Sequence, residues 1–268
     1  MTPSAVRAAV AALVEARQSR VPLAGLPENC RPATLEEGYA IQEAFVASFG
    51  QPVAGWKIGA TALASQRLFG VGEPFYGPIL APLVFASPAE LPAADFPMRG
   101  IECEFAFQLA ADFEPRERPY EPDEAAERVS APVPAIEVVS PRLDHPSRHG
   151  APSAVADCGL NGALVLGAPS FDWQSLDLAA HEVRLEIDGR AKATGTGALA
   201  LGHPLNSLAW FVNRYTARGR TLPAGQIVTT GSTTGLVILE PGQIATGDFG
   251  VLGRVSVRFR SSTAFDRP

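Results

Sequence analysis

Glu102 and Glu104 stand two residues apart in Ile101-Glu102-Cys103-Glu104-Phe105-Ala106-Phe107-Gln108-Leu109, a stretch that alternates like a half-buried strand. Ile101, Cys103, Phe105, Phe107 and Leu109 fall on one face, so the two carboxylates share the other. Residues two apart on a strand are separated by roughly 6.5 Å, close enough for both side chains to converge on one ion. Further along, Glu137 lies in Pro134-Ala135-Ile136-Glu137-Val138-Val139, an apolar run in which an unpaired charge is costly. Glutamates embedded in two hydrophobic strands call for a cation, and a hard divalent metal suits carboxylate oxygens. Lys57, in Gly55-Trp56-Lys57-Ile58-Gly59, sits in another apolar segment. It either snorkels to solvent or presents a cation to a developing oxyanion or a substrate carboxylate. Gly231-Ser232-Thr233-Thr234-Gly235 is a dense run of backbone and hydroxyl donors, readable as a polar turn or as a loop that holds an anion. It lacks the Lys of a phosphate loop and the central Ser of a nucleophile elbow.

The elements that must position these residues change character along the chain. Residues 4–18 carry Val6, Ala9, Val10, Leu13 and Val14 at helical spacing, and Thr34 with Glu37 forms a capping box that opens a helix over 35–49. From Val53 onward short apolar runs are separated by Gly and Pro, of which the chain has 25 and 24, and this punctuation suits strands and turns. Strands are expected over 54–58, 83–85, 101–109, 134–139, 162–166, 181–187, 226–230 and 251–260, with a hairpin turn at Asp188-Gly189 and a helix over 204–218. The acidic stretch 112–127 reads as a solvated loop leading into a short helix opened by Pro122. Helices do not alternate regularly with strands, which argues against a doubly wound sheet. The expected class is α+β with a mixed β-roll or sandwich core. Residues 1–268 are read as a single catalytic domain, with 1–50 a helical extension and 51–268 a β-rich metal-binding core.

With 268 residues, 46% hydrophobic, the chain can bury a core without staples. A net charge of -6 and no Lys/Arg-rich run exclude nucleic acid as a partner. Cys30, Cys103 and Cys158 are too few and scattered for a disulfide framework or thiolate zinc site, which fits a reducing compartment. Charges at Arg7, Glu15 and Arg17 break any secretion signal, and no run reaches the roughly 18 apolar residues of a membrane span, so a cytoplasmic location is expected. Gly195-Thr196-Gly197-Ala198-Leu199-Ala200 has the letters of a dinucleotide fingerprint, but no acidic residue follows near position 220 and no strand-turn-helix unit surrounds it. His145 and His149 are separated by Pro146, which argues against a helical zinc pair, although either could line an active-site loop.

Several motifs then line up in order: Gly-Trp-Lys-Ile-Gly-Ala-Thr at 55–61, Glu-Pro-Phe-Tyr-Gly-Pro at 73–78, Ile-Glu-Cys-Glu-Phe-Ala-Phe at 101–107 and Ala-Ile-Glu-Val-Val at 135–139. Ala-Asp-Cys-Gly-Leu-Asn-Gly at 156–162, Gly-His-Pro-Leu-Asn-Ser-Leu-Ala-Trp at 202–210 and Leu-Pro-Ala-Gly-Gln-Ile-Val-Thr-Thr-Gly-Ser at 222–232 complete the set. Over nearly its whole length the chain resembles the 2-oxopent-4-enoate hydratase and 4-oxalocrotonate decarboxylase group of the fumarylacetoacetate hydrolase superfamily. The resemblance implies Mg²⁺ or Mn²⁺ held by Glu102, Glu104 and Glu137, with Lys57 as the family's lysine and no organic cofactor. It also implies a substrate loop at Gly231, Ser232 and Thr233, and Asp157 as a polar residue that orients the site from behind.

The implied substrate is a small 2-oxo acid, and the implied reaction is hydration of a 2-hydroxydienoate in aromatic-compound catabolism. Decarboxylation of a 2-oxo-hexenedioate, hydrolysis of an acylpyruvate C–C bond and a silent 2-oxo-acid-binding homologue are the alternatives. Members of this group associate, so a homo-oligomer is expected, and a complex with a related pathway enzyme is consistent. Two positions depart from the hydratase pattern: Phe75 stands where an Asp is usual, and Cys158 where an Asn commonly follows the aspartate. Both departures are expected to alter the shell that handles water and protons around a retained metal site.

Overall fold

In the computed structural model, which describes residues 1–261, the Thr2 hydroxyl accepts a hydrogen bond from the Ala5 amide at 3.2 Å and opens α1 (Pro3–Ser19). The Thr34 hydroxyl caps α2 (Leu35–Ala47) by accepting from the Glu37 amide at 3.2 Å, while the Glu37 carboxylate reaches back to the Ala33 amide. These helices bury Leu13, Ile41 and Phe45 against Leu143, Ala156 and Cys158, forming a helical layer beside the strands. The later helices are α3 (Leu63–Phe69), α4 (Pro122–Ala126), α5 (Gly150–Ala156) and α6 (Pro204–Thr216).

The described residues form thirteen strands, five more than the eight expected. They are β1 (Val53–Gly59), β2 (Phe75–Leu80), β3 (Val84–Ala86), β4 (Ala89–Pro92), β5 (Gly100–Leu109), β6 (Val129–Val139) and β7 (Asn161–Leu166), then β8 (Glu182–Ile187), β9 (Arg190–Thr196), β10 (Ile227–Ser232), β11 (Val237–Ile238), β12 (Ile244–Asp248) and β13 (Arg254–Arg260). One mixed sheet runs β2-β1-β10-β5-β6-β7-β3, with β11 added to β5; a second runs β4-β13-β12-β8-β9. Ile79 on β2 packs with Ala135 on β6 and Leu164 on β7, four and five places away in the sheet order. Such contact requires the first sheet to curl on itself, giving the roll expected for an α+β chain.

The two faces of this sheet carry different chemistry. Ile101, Cys103, Phe105 and Phe107 of β5, with Ile136 and Val138 of β6, pack against Val183, Leu185, Val255 and Phe259 of the second sheet. Each fully buried Phe in that layer contributes about 1.5–3 kcal/mol. At the other end of the curl Trp56 meets Phe211 and Tyr215 of α6 at centroid distances of 5.5 and 4.9 Å, and Tyr39 of α2 stacks on Tyr76 at 4.5 Å. The concave face is left to Lys57, the glutamates and a floor of small apolar residues.

Where elements differ from expectation, proline and glycine placement explains it. β2 contains Gly77 and Pro78, yet it lies at the sheet edge, where a missing N–H is tolerated, and Gln42 of α2 covers its Tyr76 carbonyl at 3.1 Å. β6 starts at Val129 rather than 134 because Pro132 and Pro134 lie beyond the last β7 pair, Ala135 with Leu166, where no strand needs their amides. The strand expected from 251 begins at Arg254, after a single 3₁₀ turn over Gly250–Leu252. Gly195 and Gly197 of the fingerprint-like stretch pack directly on the Thr233 and Leu178 carbonyls, a structural reason for both glycines. Among the described residues no helix is long and apolar enough to cross a membrane.

Candidate metal centre

Strand register assembles the cluster. In the antiparallel β5–β6 pair Glu102 lies directly opposite Glu137, and in the β5–β10 pair Glu104 lies opposite Ser232. Alternation keeps Glu102 and Glu104 on one face, so one oxygen from each of Glu102, Glu104 and Glu137 comes within 4.8 Å of the others. Like charges placed opposite each other destabilise a sheet, so this arrangement needs an external reason. β1, parallel to β10, delivers Lys57 to the same concave face. Its ammonium stands 3.1 Å from Glu137 Oε2 but donates its aligned hydrogen bond to the Gly159 carbonyl at 2.9 Å. Glu137 Oε2 is thus charge-paired yet has no hydrogen-bond partner among the described residues.

Electrostatics follow from burial. Glu104 and Glu137 are 1% and 0% exposed, Lys57 is 4% exposed, and Glu102 keeps partial contact with solvent. Burial, then the neighbouring Glu137 and Glu102 charges, hold the Glu104 carboxyl well above the usual range. Burial and Glu137 push Glu102 up to about 7, opposed by Lys57 and by the nearby Ser232 hydroxyl. Burial works against the Lys57 charge, but Glu137, Glu102 and Glu104 together outweigh it and keep the ammonium above its ordinary value. With all three carboxylates ionised, one ammonium would leave an excess of buried negative charge, which is why Glu102 and Glu104 hold their protons more tightly without a further cation. The oxygen-only donor set, with a Glu137 Oε2 that has only the Lys57 charge beside it, fits a hard divalent cation such as Mg²⁺ or Mn²⁺.

The other sequence candidates divide. Gly231 has φ 101°, a Cβ there would lie 2.1 Å from Thr61 Oγ1, and its amide donates to Glu104 Oε2 at 2.8 Å; this glycine therefore orients a glutamate. The Ser232 hydroxyl lies beside Glu102 without a well-formed hydrogen bond. Thr233 departs from the substrate-loop expectation, because its amide and hydroxyl both donate to the Cys103 carbonyl, at 2.9 and 2.8 Å, and anchor the loop to β5. Asp157 lies away from the three carboxylates and pairs with buried Arg142, whose Nη1 donates to the Asn161 carbonyl at 2.6 Å. Asn161 Nδ2 in turn donates to Glu137 Oε1 at 3.2 Å, so Asp157 reaches the cluster through two intermediaries.

Cys158 corrects a sequence expectation: its side chain packs among Leu13, Ile41 and Phe45, and only the neighbouring backbone faces Lys57. Burial pushes its thiol up to about 12. Phe75 does lie on the concave side, paired with Gly59, and its ring meets Phe69 at 5.4 Å. His149 turns to the Asp144 carbonyl at 3.0 Å. Asn161, Thr61 and Arg142 escaped sequence reasoning; the one available signal was Asn161-Gly162 at the start of an apolar strand.

The chain belongs to the fumarylacetoacetate (FAA) hydrolase family, whose C-terminal family model matches residues 64–260. It is 29% identical over 265 residues to a 2-keto-4-pentenoate hydratase of Paraburkholderia xenovorans, covering 98% of this chain and 97% of the relative. A 2-keto-4-pentenoate hydratase of Paraburkholderia phymatum is 31% identical over 261 residues, covering 95% and 97% respectively. Among solved structures, 4-oxalocrotonate decarboxylase from Pseudomonas putida, complexed with magnesium and adipate, superposes with a TM-score of 0.87 at 25% identity over 97% of this chain and 98% of that one.

Proposed function

We propose that this chain is a divalent-metal-dependent lyase that adds water to a 2-hydroxydienoate or 2-oxo-4-alkenoate, giving a 4-hydroxy-2-oxo acid in aromatic-compound catabolism. The observation that carries this reading is the buried Glu102, Glu104 and Glu137 cluster beside Lys57 on the concave face of the curled sheet. The hydratase relatives, matched over nearly the full length of both chains, support the reaction class. The three glutamates would hold Mg²⁺ or Mn²⁺, which when bound supplies Lewis-acid polarisation and a seat for the carboxylate and 2-oxo oxygens of the substrate.

The chain's own groups supply the rest. Lys57, held as an ammonium by its carboxylate neighbours, is placed to neutralise or protonate an oxygen that gains charge. The Ser232 hydroxyl, beside Glu102 and without a hydrogen bond among the described residues, is the loop donor left to turn to a substrate carboxylate, whereas the Gly231 and Thr233 amides are already committed. Ile79, Ala106, Ala135 and Leu164 floor the roll and exclude water from behind. The chemistry requires no organic cofactor. The reading takes the chain as one catalytic unit, cytoplasmic and homo-oligomeric, able to associate with a related pathway enzyme.

Decarboxylation of a 2-oxo-hexenedioate is the second reading, and Phe75 favours it. Its pairing with Gly59 sets it on the Lys57 face, so an apolar ring stands where the resembled hydratases usually have an Asp able to manage water. The structural likeness to a decarboxylase supports the same alternative. Purified protein with Mg²⁺ is assayed against a 2-hydroxydienoate, a 2-oxo-hexenedioate and an acylpyruvate. A 4-hydroxy-2-oxo acid from the first identifies the hydratase, and CO₂ from the second identifies the decarboxylase. Turnover of the acylpyruvate alone, or undiminished turnover by Glu104→Gln after metal removal, overturns the lyase reading.

A further inference from the structure

A cavity of about 420 Å³ opens between the end of α1 and the segment that carries β3 and β4, and none of its lining residues belongs to the glutamate cluster. Ligand pockets of small molecules begin at about 300 Å³, so its size is adequate. Pro82, Leu83, Phe85, Leu91 and Phe96 give it an apolar wall. Its polar lining comes from Arg17, Arg20, Glu90, Asp95, Ser140 and Arg142.

Three features of that lining point to a missing anion. Ser140 is 5% exposed, and its hydroxyl is buried without a hydrogen-bond partner among the described residues. An unsatisfied buried hydroxyl is uncommon and calls for an unseen partner. Arg17 lies with its guanidinium 4.6 Å from the Phe49 ring centroid and forms no ion pair with a carboxylate among the described residues. Burial first, and then the nearby Arg142 cation, work against its charge. Arg142 commits Nε to the Asp157 carboxylate, Nη1 to the Ser140 and Asn161 carbonyls, and Nη2 to the Asp157 carbonyl. Among the described residues that leaves one of its five N–H donors uncommitted.

The remaining charges in the cavity wall are already compensated. Arg20 pairs with Asp95, and Glu90 lies 3.9 Å from both Arg258 and Arg260. Among the described residues one guanidinium, Arg17, therefore has no ion-pair partner of its own, beside an orphan hydroxyl and an apolar wall. We propose that this cavity binds a small organic carboxylate, its head on Arg17, Ser140 and the free Arg142 donor and its apolar body along Leu83, Phe85, Leu91 and Phe96. A single unbalanced cation suits a monoanion better than a phosphate dianion, and the apolar wall selects for a hydrocarbon body. The site would be separate from the catalytic one, although Arg142 joins its wall to Asn161 and so to Glu137.

The test avoids carboxylate binding at the metal centre by using metal-free Glu104→Gln protein, with calorimetric titration as the readout, so it is independent of turnover. Benzoate is the probe, with neutral benzamide and inorganic phosphate as comparisons. Benzoate is expected to bind one per chain, with Arg17→Met weakening it at least about tenfold, as expected for loss of a charge-assisted hydrogen bond. Ser140→Ala should weaken it by a smaller factor, and benzamide and phosphate should bind less well than benzoate. Ser140→Ala is a small deletion and decides the matter if Arg17→Met fails to fold. Absence of benzoate binding, equal binding by the variants, or tighter binding of phosphate overturns the proposal.

Discussion

Arg142 with Asp157, and Lys57 with Glu102, Glu104 and Glu137, are both buried groups of charges, yet they are built to opposite rules. The first is balanced: two donors of Arg142 reach the two Asp157 carboxylate oxygens, and its remaining bonds go to backbone carbonyls. The second holds three carboxylates against one ammonium and leaves Glu137 Oε2 and Ser232 Oγ without hydrogen bonds among the described residues. A balanced buried pair fixes the backbone around it, and its removal leaves a bare charge. An unbalanced cluster keeps its capacity for something the chain does not supply. The difference separates a structural ion pair from a functional one by accounting for charges and donors rather than by burial alone.

The largest contrast is expected from Glu104→Gln. It should lower turnover by at least about 10²–10³-fold and abolish tight metal binding, since the group removed is a proposed ligand. Metal-free Glu104→Gln should nonetheless melt at or above the temperature of metal-free wild type, because it relieves repulsion among the carboxylates. Asp157→Ala should act in the opposite sense, with a loss of about 3–5 kcal/mol as Arg142 is left buried and unpaired. Chemical denaturation of both variants without metal checks the pair of signs. If both lose stability equally, the distinction between the two clusters fails.

Sequence reasoning reached one cluster and missed the other for physical reasons. Glu102, Glu104 and Lys57 were legible because charge inside a period-2 apolar pattern is visible locally. Glu137 was legible for the same reason, but its position opposite Glu102 depends on strand register, which no local pattern encodes. Arg142 lies in a loop after β6 and shows no periodicity, so its pairing with Asp157 could not be foreseen. Cys158 was read from its place in a motif, yet its φ of 51° belongs to a turn that sends the side chain into the helical layer. The roll itself was expected from glycine and proline punctuation, while β2 was hidden by the same signal because edge strands tolerate proline.

Asn161 is where the two clusters touch, its carbonyl accepting from Arg142 and its amide donating to Glu137. Asn161→Ala should weaken metal affinity about 10–100-fold, the usual effect of losing a partner that orients a ligand. Its stability loss should be smaller than that of Asp157→Ala, since a neutral donor rather than a charge is removed. Metal titration of the variant, followed by fluorescence or calorimetry, measures the first quantity. An unchanged affinity would mean that the Arg142 network ends at the backbone.

The smallest effect expected is in the pH dependence of the metal-free protein, and its sign is the opposite of ordinary acid denaturation. The Glu102 carboxyl is pushed up to about 7 and Glu104 is also raised, so in this cluster the folded state binds protons more tightly than the unfolded chain. The stability associated with this uptake is complete below the unfolded carboxyl pKa and is lost as pH rises through the folded values. Metal-free protein should therefore lose a few degrees of melting temperature between about pH 5 and about pH 8, and Glu102→Gln should lose less. Metal requires the ionised carboxylates, so the gap in melting temperature between metal-loaded and metal-free protein should widen over the same range. Burial raises the Asp157 carboxyl as well, against the pull of Arg142, so the contrast lies in what remains: Asp157→Ala should lower stability while leaving the Glu102-dependent decline in place.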